Sequence, residues 1–367
     1  MMRRFLIASW DGGGNTPSAY NLGSRLVRRG HRVRMMGWHA MAASAAAAGL
    51  EFTTYQSVPP WPADLRHEDG WDRISVALFG AATEIDIATE ARGFGADVLV
   101  LDCMITAGYA AARRLGIPVV SLVHPLYEPF VHQWGSSVLG ADVAELLRAR
   151  GCVLALQPPG FDNPTTLPAG TAYVGAILSP GRPALEPRDE ALLSEPGDPW
   201  VLLSLSSTLQ GQRDVLPGLL SALGSRPIRV LLTLGGVLAP DSVDAPANVT
   251  VRGSVPHQAV LPWMAAVVTH AGMSTVAMAL AAGVPMVCVP QGRDQPLNAL
   301  RVAEVGAGLQ VATDAPPELV ARAVGAVLSD GQYRSTAQGF STRTAELGNG
   351  EYATDLVESV SLQTSSI

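Results

Sequence analysis

The amino-acid sequence predicts an α/β protein made of two Rossmann-like domains, each built on a parallel sheet. Three observations predict it. Short apolar runs alternate with helical stretches from Phe5 to Leu156. The alternation stops in a stretch rich in Pro and charge, Leu178–Pro199, and restarts at Trp200. The length, 367 residues, exceeds one ordinary domain and suits two.

In the first half Phe5–Ser9, Arg32–Gly37, Glu51–Tyr55, Val98–Asp102, Val119–Val123 and Val153–Leu156 read as strands. Between them Ser18–Arg29, Ala40–Ala48, Ile74–Arg92, Thr106–Leu115 and Ala141–Arg150 read as helices. Such alternation means right-handed βαβ units and a parallel sheet. Gly30, Gly49 and Gly116 each follow a helix, where a left-handed residue is wanted. In the second half the strands are Trp200–Leu205, Arg229–Leu234, Val249–Gly253, Val267–Thr269, Met286–Val289 and Leu309–Val311. The helices are Val215–Leu223, Ser274–Ala282, Pro296–Val305 and Pro317–Leu328, and the tail Tyr333–Val360 looks helical. The expected boundaries are 1–180 for the first domain, 181–199 for a linker, 200–345 for the second domain and 346–367 for a tail helix. Paired Rossmann-like domains imply a cleft between the C-terminal ends of two sheets.

Composition narrows the function. The chain is 48% hydrophobic and 16% charged, which suits a large buried core. A net charge of -7 does not favour nucleic acid or anionic lipid as partner. Every basic residue is Arg. Without Lys there is no pyridoxal-phosphate Schiff base and no Walker-type phosphate lysine. Cys103, Cys152 and Cys288 lie far apart, with no C-x-x-C and no metal-ligand spacing, so they read as buried thiols in a reducing cytoplasm. The N-terminal apolar run of six residues is too short for a signal-peptide core. The uncharged stretch Leu261–Gly292 contains His270 and three Pro and breaks into strand, helix and strand, so it reads as a domain centre and not a membrane span.

The chemistry concentrates in Gly253–Gly308. Val267–His270 ends a strand, and Ala271–Thr275 is a small-residue loop that opens a helix. Free N–H groups and the helix dipole there favour an anion such as a diphosphate. Ser274 and Thr275 can cap that helix or bind phosphate oxygens, and His270 can add a donor. The same pattern also describes an ordinary capped helix with a histidine in the core. A second small-residue loop, Ser206–Ser207–Thr208, follows strand Trp200–Leu205; by itself it is a plain βα turn.

This segment resembles the donor-binding signature of the family 1 glycosyltransferases, the GT-B group that glycosylates plant and bacterial natural products. The matching elements are Val255–Pro256–His257, Thr269–His270–Ala271–Gly272, Gly283–Val284–Pro285, Asp294–Gln295 and Asn298–Ala299. The resemblance implies a nucleotide-sugar donor, with no other cofactor and no metal. Val255 would present its backbone to the nucleobase. His270, Gly272 and the helix start at Ser274–Thr275 would hold the diphosphate, joined by Ser206, Ser207 and Thr208. Asp294 and Gln295 would bind sugar hydroxyls. The first domain would bind a small hydrophobic acceptor, aromatic or polyketide, and the tail helix would cross back to it. No Asp-x-Asp is present, which argues against a metal-bound diphosphate of the GT-A type.

Two departures from the family pattern matter. Where the family often places a Glu for both ribose hydroxyls stands Met278, which accepts no hydrogen bond. Deoxythymidine diphosphate lacks one of those hydroxyls, so a TDP-sugar is favoured over a UDP-sugar. The usual catalytic His falls on Asn15, which is no base at neutral pH, while its usual Asp partner falls on Asp102. Asp11, His124 and His39 are the candidate substitutes, and an activated acceptor would need no strong base. Gly12–Gly13–Gly14 matches a dinucleotide fingerprint only loosely, with Pro17 in place of the third Gly, and reads as a tight loop that leaves acceptor room. Asn15, His39, Trp61, Tyr127 and Trp134, with Trp71 and Phe79, are candidate pocket residues; each aromatic also fits the core. The expected reaction is an inverting transfer by a soluble cytoplasmic enzyme. A homodimer is left open, as are an epimerase on the same fold and a weakly active binding homologue.

Overall fold

The computed structural model describes residues 1–58, 78–134, 142–148, 151–208 and 210–360, without the side chains of Gln133 and Trp134. The pocket assignments of Trp61, Trp71 and the Trp134 side chain therefore lie outside the described residues. The chain divides into two compact units. One is Met1–Pro180 with Glu346–Ile367, and the other is Gly181–Ala345.

Among the described residues the first unit carries seven strands: β1 (Arg4–Ala8), β2 (Arg32–Gly37), β3 (Glu51–Thr54), β4 (Val98–Asp102), β5 (Val119–Val123), β6 (Gly151–Ala155) and β7 (Thr171–Tyr173). Their order is β3-β2-β1-β4-β5-β6-β7, and every pairing is parallel. Every residue of β4 and β5 is buried. Helices on both faces explain why these strands read as continuous apolar runs. Alternate residues feed two cores: Leu6, Leu99 and Leu101 join one, while Phe5, Ile7, Val98 and Val100 join the other. β7 has no counterpart among the strands read from sequence. It is three half-buried residues at a sheet edge, too short for a periodic signal.

The second unit has six parallel strands: β8 (Trp200–Ser204), β9 (Arg229–Thr233), β10 (Val249–Arg252), β11 (Ala266–Thr269), β12 (Met286–Cys288) and β13 (Gly308–Gln310). Their order is β10-β9-β8-β11-β12-β13. The segment 181–199, read from composition as a linker, is built into this unit. It contains the helix Pro187–Ser194, whose buried Asp189 meets Arg252 at 2.7 Å. Arg229 donates to the carbonyls of Glu195 and Asp198 and lies over the Trp200 ring. These partners are distant in sequence, so composition alone does not reveal them.

The tail is two helices, Gly331–Glu346 and Glu351–Val360, broken at Gly348–Gly350, where Asn349 has a positive φ of 53°. The last helix belongs to the first unit. Its Ala353, Val357 and Val360 pack with Leu22, Leu154 and Ile177. Each fully buried Val contributes about 1.5–3 kcal/mol. Arg25 pairs with Glu351, and Arg29 with Asp355 and Glu358, both at 2.6 Å. Among the described residues no helix is long and apolar enough to cross a membrane.

Both sheets reverse strand order once, between β1 and β4 and between β8 and β11. Open α/β sheets bind ligands outside the C-terminal ends of the strands at such points.

Candidate active site

At the first reversal β1 leads into Trp10–Asn15, and β4 ends on Asp102. The register pairs Ala8 with Leu101, so the two strand ends lie side by side. Asp102 is 3% exposed. Asn15 Nδ2 donates to its Oδ2 at 2.6 Å and to the Trp10 carbonyl at 3.0 Å. With both amide hydrogens committed, the buried Asn15 Oδ1 is left without a partner. Trp10 Nε1 and the Met104 N–H donate to Asp102 Oδ1. His124 follows β5 and brings its Nε2 to 3.4 Å from the same oxygen. Burial opposes ionisation of Asp102. His124, the Asn15 amide and the Met104 N–H outweigh it and hold the carboxyl below the usual carboxylate range. Burial likewise opposes a charged His124, but Cys103 and Asp102 beside the ring raise it well above its ordinary value.

Sequence reasoning ties Asn15 to Asp102, and the structure brings them into contact. His124 joins the same carboxylate. Asp11 is exposed after β1, and burial still raises its carboxyl, against a backbone hydrogen bond from Gly13. His39 is exposed and opens a short 3-10 turn after β2. Tyr127 is 4% exposed and belongs to the core beside Phe130 and Leu147; Phe79 packs on the same core. Gly12 has an Asn15 contact: a Cβ there would lie 2.8 Å from Asn15 Oδ1 and from the Trp10 ring.

At the second reversal, Ser204 of β8 pairs with Thr269 of β11, so the loops Ser206–Thr208 and His270–Gly272 leave adjacent strands. The helix Met273–Ala281 starts at Gly272 with no side-chain cap. Its first N–H groups are therefore available to an anion. A Cβ at Gly272 would come within 2.5 Å of His270 Nε2, so the ring lies against that helix start. Ala271 adopts φ 65°, rare for a residue with a side chain, and its N–H is held by Thr269 Oγ1 at 3.2 Å. Buried Asn298 fixes the turn from the far side, donating to the Ala271 carbonyl at 3.0 Å and to Asp294 Oδ2 at 2.8 Å. Ser274 and Met278, one helical turn apart, are both partly exposed, and Thr275 is buried. Val255 is half-buried in the loop after β10.

His270 is neutral at neutral pH. Burial, helped by the nearby Arg293 and His257, lowers it to about 3. The ring can therefore hydrogen-bond but carries no charge, and the cation near it is Arg293, which the sequence reading passed over. Its φ of 56° marks a turn directly before Asp294. His257 was also passed over as a site residue. It is lowered to about 4 by burial, and its Nε2 lies 3.4 Å from Ser204 Oγ and 3.5 Å from Thr233 Oγ1. Gln295 has a different setting from Asp294. It is 2% exposed, and its Oε1 accepts from the Gln291 and Gly292 N–H groups. Its Nε2 donates to Gln210, which in turn donates to Ser206 Oγ at 2.9 Å and Thr208 Oγ1 at 2.8 Å. Gln210 thus links the loops after β8 and β12, and no local pattern in the sequence signals it.

Residues 218–358 match the family model described as the erythromycin biosynthesis protein CIII-like C-terminal domain. The NDP-glycosyltransferase YjiC of Bacillus subtilis strain 168 is 25% identical over 366 residues, covering 91% of each chain. The 4'-demethylrebeccamycin synthase of Lentzea aerocolonigenes is 25% identical over 420 residues, covering 98% of this chain and 99% of that one. The crystal structure of CalG4, the calicheamicin glycosyltransferase, superposes with a TM-score of 0.80 at 25% identity over 100% of both chains. The chain is a glycosyltransferase with the GT-B fold. Its relatives and structural neighbours include enzymes of antibiotic biosynthesis that use nucleotide-sugar donors. In this transferase the two Rossmann-like domains of that fold are the two parallel-sheet units, each with its strand reversal.

Proposed function

We propose that the transferase moves a deoxysugar from a TDP-sugar to a small hydrophobic natural-product acceptor, with inversion at the anomeric carbon. The observation that carries this reading is the uncapped helix start at Gly272 with His270 against it, at the strand reversal of the second sheet. The helix N–H groups and the hydroxyls of Ser206, Ser207, Thr208, Ser274 and Thr275 hold the diphosphate. Arg293 supplies the charge that neutral His270 does not. Asp294, with one carboxylate oxygen on Asn298, has the other for a sugar hydroxyl. Met278 beside Ser274 offers no acceptor to a 2′-hydroxyl, which supports thymidine over uridine.

On the acceptor side the base is His124 in its neutral form, which grows as pH rises because the neighbouring groups favour the charged ring, and Asp102 orients it. The acceptor hydroxyl gives its proton to the ring as its oxygen bonds to the anomeric carbon. The bond from that carbon to the β-phosphate oxygen breaks, and the nucleoside diphosphate leaves onto the Gly272–Thr275 cradle. The unpartnered Asn15 Oδ1 accepts from the acceptor or from a water that accompanies it. Asp11 and His39 are disfavoured by their exposure. Calorimetry with TDP and UDP tests the donor half. TDP should bind at least about tenfold tighter, equivalent to about 1.4 kcal/mol; tighter UDP binding would contradict the reading.

A further inference from the structure

The transfer reaction leaves Cys103 without a role, although it is 1% exposed beside both Asp102 and His124. We propose that Asp102, Cys103 and His124 form a site for a thiophilic divalent cation of the zinc type, which switches the transferase off while bound. The switching part rests on the reading of His124 as base; the ion site does not.

Three observations carry it. One carboxylate oxygen, the Cys103 sulfur and one imidazole nitrogen all lie within 4.8 Å of one another, and they are the one such group among the described residues. The second is the spacing of His124 Nε2 and Asp102 Oδ1. At 3.4 Å it is long for a charged hydrogen bond, which is normally about 2.7–2.9 Å. It matches the span of two ligands on one tetrahedral ion, roughly 3.3–3.4 Å for bonds of 2.0–2.1 Å. The third is exposure. Asp102 and Cys103 are closed off, while the His124 side chain is 21% exposed. That is three protein ligands with one open position, the arrangement in which zinc keeps a water.

The ligand set fits the ion. A thiolate and an imidazole select zinc over magnesium or calcium, which prefer oxygen. The Asn15 amide and the Met104 N–H already orient the carboxylate, as outer-shell partners of metal ligands do. On binding, the Cys103 S–H breaks, sulfur keeps the electron pair for the ion, and the proton goes to solvent. Any proton on His124 leaves likewise. Thiolate and carboxylate then cancel the 2+ charge, so the buried site ends neutral. The ion takes the lone pair of the base, and proton removal from the acceptor stops. The sequence spacing gives no hint of this. The ligands meet because Asp102 and Leu122 are register partners, which places the end of β4 beside the end of β5.

The test uses the full chain, metal-stripped and without a histidine tag, titrated with Co²⁺ as a spectroscopic stand-in. One equivalent should produce a thiolate-to-cobalt charge-transfer band that Zn²⁺ abolishes. Cys103→Ser, close to isosteric, should lose the band, whereas Cys152→Ser and Cys288→Ser should keep it. Cys103→Ala repeats the measurement should the serine variant fold poorly. No band at one equivalent, or a band that survives both Cys103 variants, would overturn the site. Zinc should inhibit transfer by the wild type at roughly tenfold or more lower concentration than by Cys103→Ser. A cobalt band with an unaltered transfer rate would overturn the switch, and His124 as base with it, while the ion site stood.

Discussion

The side-chain amide of Gln295 donates a hydrogen bond to the amide oxygen of Gln210, tying the loop after β12 to the loop after β8. Both residues are buried, Gln295 at 2% and Gln210 at 9% exposure. One bond therefore sets the spacing of two loops assigned to the donor. Gln210→Leu leaves the Gln295 Nε2 without its partner, and Gln295→Leu strands two backbone N–H groups as well. Each should cost about 1–3 kcal/mol. The donor KM should rise several-fold while kcat changes less. The double variant should lose less than the sum of the singles, because they share one network. Melting curves with and without TDP, together with donor KM values, check this; full additivity would show that the bond couples nothing.

Gly272 and His270 make a second coupled pair. The φ of -61° at Gly272 is open to any residue, so alanine there is opposed only by the ring it would meet. Gly272→Ala should weaken TDP binding by roughly tenfold, about 1.4 kcal/mol. His270→Ala should cut turnover severely while the fold persists. Adding Gly272→Ala to His270→Ala should bring little further loss, since the clash has gone. Calorimetry on the three variants decides it, and equal losses in both backgrounds would contradict the geometry.

Loss of the base should fall on kcat. His124→Ala should lower kcat by about 10²–10⁴-fold, the usual range for general-base removal, with the donor KM nearly unchanged. Asp102→Asn should also fall steeply, because the ring loses its orienting charge. Asp11→Asn and His39→Gln should stay within a few-fold of wild type. Steady-state kinetics against one accepted acceptor separate these; a collapse in Asp11→Asn alone would move the base to Asp11.

Acid should loosen the last helix. The Glu351 carboxyl is held below its ordinary value by the Arg29 hydrogen bond, against burial, with Arg25 adding to it. A carboxyl depressed in the folded state stabilises it above the unfolded value of about 4.3. That contribution is lost as pH falls through the folded value. Glu351 is 51% exposed, so solvent screening keeps its share to about 1 kcal/mol or less. Arg29→Gln should therefore speed amide hydrogen exchange in 351–360 at pH 7. The difference from wild type should shrink below about pH 4. A difference that stays constant down to pH 3 would show that the ion pairs do not hold the helix.

The fold is legible where physics is local. β4 and β5 read as strands because both faces are covered: VLVL has no polar interruption, and VVSLV has only the small Ser121, buried and hydrogen-bonded by the Tyr109 hydroxyl. The turn at Ala271–Gly272 is legible because only small residues fit between a histidine and a helix start. β7 is not, being short, half-buried and at an edge. Nor is the seating of 181–199, which depends on Asp189 finding Arg252 across 63 residues. The same limit applies to the site. Asn15 and Asp102 can be related through the family pattern, but the approach of His124 to Asp102 and its chain neighbour Cys103 is a product of strand register. Gln210 depends on a partner 85 positions away.

The backbone leaves the first unit after Pro180 and returns to it at Glu346. Topologically, the second unit is a long insertion between Ile177 and the segment that covers it. Exchanging that unit for a relative's, to test whether it sets sugar preference, therefore takes two junctions, one near 180 and one near 345. A chimera cut once would carry a foreign closing helix, with Arg25 and Arg29 facing side chains that did not evolve beside them.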